Sequence, residues 1–220
     1  FRPVLFRAVL IMASLAQIAG QYVFLLFGAD GIGDNAASSW VLLVGLIWIA
    51  LMTYICYRGI EVSARLQYFL LGFEVLVLIV LSVYALIRVY GHTAGAQAIM
   101  PSISWFWPAG LDFGDVIAPA ILTTIFIYWG WDSGVSVNEE TEDSHEAPGR
   151  AAVLSTIILV LIYLIVSAAA ISYAGPGYLV NHPDDILSVL GTKIFSSPWD
   201  KLLILAVLTS ASASTQTTIL

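Results

Sequence analysis

The sequence predicts an all-α polytopic membrane protein, and three observations support this prediction. Of the 220 residues, 60% are hydrophobic and 10% are charged, whereas about 25% of a soluble domain is charged. About six apolar runs approach the ~20 residues that a helix needs to cross a bilayer. The runs are continuous rather than alternating, which favours helices over the strands of a membrane barrel.

The six predicted spans follow one another along the chain, and each must be helical because lipid cannot satisfy free backbone polar groups. Their expected limits are 4–28, 39–57, 66–88, 115–137, 151–174 and 201–220. The chain begins with Phe1 rather than Met, and it stops at Leu220 inside an apolar run. We therefore expect residues 1–220 to be an internal piece of one longer transmembrane domain.

Basic residues are distributed unevenly between the two sides of the predicted membrane. Five lie on one side and three on the other: Arg2, Arg7, Arg58, Arg65 and Arg150 against Arg88, Lys193 and Lys201. The side with more of them is expected to be cytoplasmic. The net charge of −7 argues against a nucleic acid partner, which would require clustered Lys and Arg.

Two carboxylates lie well inside apolar runs, at Glu74 and Asp132. A charge at the middle of the bilayer costs at least about 2.5–3.5 kcal/mol, so such a residue usually faces a partner or a water-filled cavity. Glu74 follows Arg65 by nine residues, about 13 Å along a helix. A carboxyl group at that depth can carry a proton, and the alternative is a structural carboxyl group bonded to a neighbouring helix.

Asp132 belongs to the stretch YWGWDSGVS, residues 128–136. Gly130 and Gly134 are each about 1 kcal/mol worse than Ala in a helix, and the hydroxyl of Ser133 competes for backbone hydrogen bonds. The stretch therefore predicts a local unwinding whose free N–H and C=O groups hold a charged small solute. The alternative is a continuous helix with packing glycines and Asp132 near the cytoplasmic interface.

The last span contains TSASASTQTT, residues 209–218, in which Ser210, Ser214 and Thr217 fall on one helix face. Small hydroxyl residues commonly mediate close helix packing in lipid. The other interpretation is a hydroxyl-lined wall of an ion or proton site.

The pattern of polar residues separates three classes of membrane protein. A channel or receptor-like protein would repeat polar residues through several spans, whereas this chain has isolated carboxylates and one interrupted helix. An enzyme needs converging acid, base and nucleophile or metal ligands. The three histidines, His92, His145 and His182, lie in predicted loops. We therefore expect a transporter, with no catalytic residue, no metal site and no cofactor.

Two segments resemble the amino acid–polyamine–organocation (APC) superfamily of permeases. FIYWGWDS at 126–133, then NEETED at 138–143 and PGRA at 148–151, is similar to the sixth helix and the following cytoplasmic loop of that superfamily. RGIEVSARLQ at 58–67 resembles the start of its fifth helix. The resemblance covers nearly the whole chain, as helices three to eight of twelve.

The resemblance implies a leucine-transporter-type fold with two inverted five-helix repeats (5+5), in which unwound parts of helices one and six form the substrate site. Phe126 would be the aromatic gate above the substrate. The substrate-binding set implied by the resemblance is Phe126, Ile127, Tyr128, Trp129, Gly130, Trp131, Asp132 and Ser133.

The resemblance also implies coupling and gating residues. Some proton-coupled members have a lysine where this chain has Glu74, so the position matches and the charge is reversed. Hydroxyls of helix eight, here Ser210 and Ser214, would contribute to an ion site. The cytoplasmic gate would be formed by Glu139, Glu140 and Arg150.

The implied function is secondary active transport of amino acids or related amines by alternating access, either proton-coupled or by exchange. A polyamine or organocation transporter is the alternative, and a channel or receptor-like protein is a more remote one. The expected partners are the amino acid or amine, protons and the lipid bilayer of a bacterial-type plasma membrane. The oligomeric state stays open.

Overall fold

The computed structural model describes residues 2–128, 145–181, 186–195 and 199–219. Within these ranges the chain is helical and contains no β-strand. A 3₁₀ turn at Ile103–Phe106 and a π-helical turn at Phe113–Ile117 precede the fifth helix. The α-helices are α1 (Arg2–Leu26), α2 (Asp30–Gly33), α3 (Ser39–Tyr57), α4 (Ile60–Tyr90), α5 (Ala118–Ile127), α6 (Ala147–Ala174), α7 (Pro176–Asn181), α8 (Ile186–Ile194) and α9 (Lys201–Ile219).

Five helices in the described ranges are long and apolar enough to cross a membrane, namely α1, α3, α4, α6 and α9. The prediction of an all-α polytopic membrane protein is therefore confirmed. The fourth predicted span, 115–137, is described only as far as Tyr128, where Phe113–Ile125 forms a shorter apolar helix. The remainder of that predicted span lies outside the described residues.

Helix α4 begins six residues before the predicted limit of its span at 66. The first turns of α4 carry Glu61 and Arg65, two charged residues that are typical of a loop. In the structure both side chains are exposed on the helix, and they pair at 3.5 Å. Gly59 separates α3 from α4 with a φ of 122°, a conformation that side-chain-bearing residues rarely adopt. Glu74 consequently lies near the middle of this 31-residue helix.

Helix α9 lies at the centre of the bundle, in contact with α1, α3, α4 and α8, while α6 packs mainly against α4. One apolar cluster joins α4, α6, α8 and α9 through residues such as Leu81, Tyr173 and Leu203. A second cluster joins α1 to α9 around Ala19 and Leu208. The contacts of α9 explain why the residues facing its neighbours are small or aliphatic.

Polar contacts hold one end of the bundle together. The Lys201 ammonium group at the start of α9 donates a 2.8 Å hydrogen bond to the Leu26 carbonyl at the end of α1. A cation at a helix C-terminus is favourable because the last carbonyl groups carry partial negative charge. On the other side of the bundle, the Tyr173 hydroxyl donates a 3.0 Å hydrogen bond to the Lys193 carbonyl, which fastens α8 onto α6.

Helices α1 and α3 approach each other closely at two glycines. Gly20 of α1 lies against the Val41 carbonyl, and Gly45 of α3 lies against the Ala16 carbonyl. A Cβ added to Gly45 would stand 2.6 Å from the Ala16 oxygen. Small residues permit this approach of backbones in lipid, where dispersion contacts rather than water exclusion drive helix association.

We expect Gly45→Ala to destabilise the fold by about 1–3 kcal/mol, because the added methyl must push α3 away from α1. The midpoint of thermal unfolding in detergent should fall. Gly72→Ala is the matched control, since nothing lies within 4 Å of the Cβ it would add on α4. That control should be neutral or stabilising, because Ala favours a helix by about 1 kcal/mol over Gly. Equal midpoints for the two variants would contradict the close contact.

Candidate functional site

A carboxylate lies where α4 meets α6 and α9. The Ser210 hydroxyl of α9 is a hydrogen-bond partner of the Glu74 carboxyl group. The Tyr163 phenol of α6 lies within electrostatic range of the same carboxyl group. All three residues belong to the central parts of their helices, so they meet at a similar depth. A partly buried carboxyl group with polar partners on two neighbouring helices is the arrangement that a membrane-embedded acid requires.

Tyr163 also connects this carboxyl group to the end of α5. Its ring lies edge-on to the ring of Tyr128, with centroids 5.6 Å apart and planes inclined by 78°. Edge-to-face geometry is favourable because the positive edge of one ring meets the negative face of the other. Tyr163 and Tyr128 therefore join α6 to α5 by an aromatic contact that lies within electrostatic range of Glu74 on α4.

A cavity of about 400 Å³ lies between α5, α6 and the 3₁₀ turn. Tyr128 and Tyr163 both line it, so Tyr163 is shared by the cavity and the carboxylate cluster. The remaining lining residues are mainly aromatic or aliphatic: Trp105, Phe106, Thr124, Ile127, Val160, Leu164, Ser167, Ala168 and Ile171.

The three predicted coupling residues, Glu74, Ser210 and Ser214, differ in their surroundings. Glu74 and Ser210 lie close together, and the assignment of both to coupling stays a prediction. Ser214 and Thr217 share the helix face of Ser210, but both are exposed. The assignment of Ser214 to an ion site therefore stays a prediction.

The helix face that α9 buries carries a different polar residue, Gln216, which is fully buried. Its side-chain carbonyl accepts a 2.9 Å hydrogen bond from the Ser63 hydroxyl of α4. Its amide nitrogen lies 3.3 Å from the Met52 sulfur of α3, and the Cys56 sulfur lies 3.9 Å from its backbone carbonyl oxygen. The sequence reasoning missed this residue, although an amide inside an apolar span is itself a signal, since it must find a partner.

Most of the predicted substrate site lies outside the described residues. Phe126 and Ile127 form the last turn of α5, and Tyr128 follows it. The predicted residues outside the description are Trp129, Gly130, Trp131, Asp132, Ser133, Glu139 and Glu140. The predicted unwinding at Gly130 to Gly134 and the predicted gate therefore stay predictions.

Arg150, the third residue of the predicted gate, lies in the first turn of α6. Its guanidinium group pairs with Glu146 at 3.6 Å, and both side chains are exposed. An exposed pair one helical turn apart contributes little to stability, typically about 0.3–0.5 kcal/mol. This local pair leaves the Arg150 side chain at the surface.

Tyr163 is the site residue that the sequence analysis did not single out. It is the only residue with a polar side chain in the run IILVLIYLIV at 157–166. A phenol hydroxyl in such a run is a weak signal, because tyrosine also occurs as a packing residue in membrane helices. Its importance follows only from the packing of α6 against α4.

Helices that cross a membrane, with an embedded carboxylate beside an aromatic cavity, are typical of membrane transport proteins. The family model described as amino acid permease matches residues 4–218. The chain therefore belongs to the amino acid permease family of the APC superfamily, as its motifs indicated. It is an integral membrane protein, and its family transports amino acids or amines. No curated protein and no solved structure matched the chain.

We expect Gln216→Ala to destabilise the protein by about 1–3 kcal/mol, because the buried Ser63 hydroxyl loses its acceptor. Thermal unfolding in detergent measures the loss. The rate of Cys56 alkylation should rise at the same time, since the thiol lies 3.9 Å from the Ser63 hydroxyl, which is freed when the Gln216 side chain is removed. Thr217→Ala on the same helix is the control, because the exposed Thr217 hydroxyl only donates to Ala213 in its own helix. A control as unstable as Gln216→Ala would contradict this role.

Proposed function

We propose that the protein carries amino acids or related amines by alternating access, and that Glu74 carries the proton coupled to this movement. The observation that supports the proposal is the position of Glu74 near the centre of α4, with Ser210 as a hydrogen-bond partner and Tyr163 within electrostatic range. Carboxylates at this depth commonly serve proton relays in transporters.

The chemistry of Glu74 suits a coupled carrier. A protonated carboxyl group is neutral and tolerates the membrane interior, whereas an ionised one needs a cation or hydrogen-bond donors close by. The Ser210 hydroxyl can donate to the ionised form and accept from the protonated form. Loss or gain of a proton therefore changes which partner Glu74 prefers, and an ammonium group of the solute is a suitable one.

The predicted motif supplies the other half of the proposed substrate site. The backbone of residues 126–133 would bind the charged ends of an amino acid, with Asp132 linked to gating. Glu139, Glu140 and Arg150 would close the cytoplasmic side, and the protein would work in a bacterial-type plasma membrane. These roles rest on the family motif and on the physics of interrupted membrane helices.

A polyamine or other organic cation is the second candidate substrate. The sequence places two carboxylates, Glu74 and Asp132, within its predicted spans, and two negative charges suit a solute with more than one ammonium group. Competition between a labelled amino acid and a diamine distinguishes the two candidates.

We expect Glu74→Gln to reduce proton-driven uptake at least about tenfold, an increase of about 1.4 kcal/mol in the barrier, because the amide cannot exchange a proton. The protein is placed in liposomes with an alkaline interior, and the initial uptake of a labelled amino acid is measured at several external pH values. Glu61→Gln is the matched control, since it makes the same change on the same helix at an exposed position.

The controls separate coupling from loss of folding. Glu61→Gln should retain the pH dependence of the unsubstituted protein, and Glu74→Gln should still exchange internal for external amino acid without a gradient. An unchanged pH dependence in Glu74→Gln would remove this residue from the mechanism. Uptake that needs an internal amino acid and ignores the pH gradient would instead establish exchange.

A further inference from the structure

We infer that the cavity between α5 and α6 receives the large apolar or aromatic body of the transported amino acid or amine, whose ammonium group lies at the end of the cavity formed by Tyr128 and Tyr163. This inference rests on the proposed function and adds the class of substrate. It is based on three features of the described residues: the facing helix surfaces, the chemistry of the lining and the position of Tyr163.

The cavity is built from regular faces of two helices. The lining residues of α6 lie at 160, 163, 164, 167, 168 and 171, the spacing of a single helix face. Thr124, Ile127 and Tyr128 repeat that spacing at the end of α5. Trp105 and Phe106 of the 3₁₀ turn complete the lining. The space is therefore a slot between two helices, and its width depends on side-chain size along one face of α6.

The lining suits an apolar body and opposes a charged one. Four aromatic and five aliphatic side chains surround the slot, together with Thr124 and Ser167. The Thr124 hydroxyl is already bonded to the Ala120 carbonyl at 2.8 Å, so it is committed to its own helix. A carboxylate or amide group of a substrate would find few partners here, and burial of an unpaired polar group is unfavourable.

The position of Tyr163 determines the orientation in which a substrate would fit the slot. Its ring is part of the lining, and its phenol lies within electrostatic range of the Glu74 carboxyl group. An ammonium group is attracted to a carboxylate and to the faces of aromatic rings. A solute with one cationic end and one apolar end therefore matches the slot in a single orientation, with the cation near Tyr163 and the apolar body among the remaining lining residues.

The volume of the cavity limits the size of the apolar group of the substrate that it can receive. The cavity of about 400 Å³ lies near the lower end of the range of roughly 300–1,000 Å³ typical of small-molecule sites. A phenyl or indole group fits such a space and contacts the rings around it. A methyl group would leave most of it unfilled and would forfeit those contacts.

The test compares labelled phenylalanine with labelled alanine in liposomes containing the full protein. We expect the KM for phenylalanine to be at least about tenfold lower than that for alanine, since apolar pockets discriminate by about 10- to 200-fold per methylene-sized difference. Ala168→Phe fills the slot and should raise the KM for phenylalanine at least about tenfold. The KM for alanine should stay within about twofold, and this retained uptake shows that the variant is folded.

Ala151→Phe is the matched control, because it adds the same group to an exposed position of the same helix outside the cavity. It should leave both KM values unchanged. Should Ala168→Phe fail to fold, Leu164→Ala replaces it. That variant removes part of the lining, and it should raise the KM for phenylalanine without changing the KM for alanine.

The outcomes separate this inference from the proposed function. A protein that transports alanine or aspartate better than phenylalanine overturns the inference and leaves the transport function intact. Equal effects of Ala168→Phe on both substrates also overturn it. A protein that transports no amino acid or amine at all refutes the proposed function, and the inference fails with it. A selective loss of phenylalanine transport supports the inference.

Discussion

A carboxylate in the middle of a membrane-crossing helix is the constraint on which the rest of the structure depends. The backbone of a membrane helix uses its own hydrogen-bonding groups, so only side chains of neighbouring helices can offer partners at that depth. Here α9 offers the Ser210 hydroxyl, and the Tyr163 phenol of α6 lies within electrostatic range. The packing of α4 between these two helices therefore supplies the polar surroundings that water supplies elsewhere.

The composition of each helix matches its place in the bundle. Helix α9 is rich in Ala, Ser and Thr, and 44% of its span is buried inside the protein, against 6% for α6. Small and hydroxyl residues let several helices approach α9 at once, whereas the Leu, Ile and Val side chains of α6 suit contact with lipid. The exposed apolar residues of α6 outside the cavity lining, such as Val153, Leu154 and Ile157, are therefore consistent with its peripheral position.

The sequence predicts the features that depend on local composition and misses those that depend on packing. Glu74 is predictable because a single charge in an apolar run is unusual. Tyr163 is not predictable, because Glu74 lies on another helix and because tyrosine also occurs as a packing residue in membrane helices. Helical spacing places Ser210 and Ser214 on one face of α9. Which face of α9 is buried depends on the helices that pack around it, so the burial of Gln216 cannot be read from the spacing. The cavity depends on the separation of α5 and α6, about which the sequence is silent.

The glycine contacts between α1 and α3 have a mechanical consequence. Helices whose backbones are in contact have no intervening side chains over which they could slide. We therefore expect α1 and α3 to move together as one rigid pair. The chain continues from this pair of helices to α4 through the short segment around Gly59, whose φ of 122° is rarely adopted by residues with a side chain. Because α1 also packs against α9, any rotation of this pair relative to the helix that carries Glu74 must be accommodated both at the Gly59 segment and at the contact between α1 and α9.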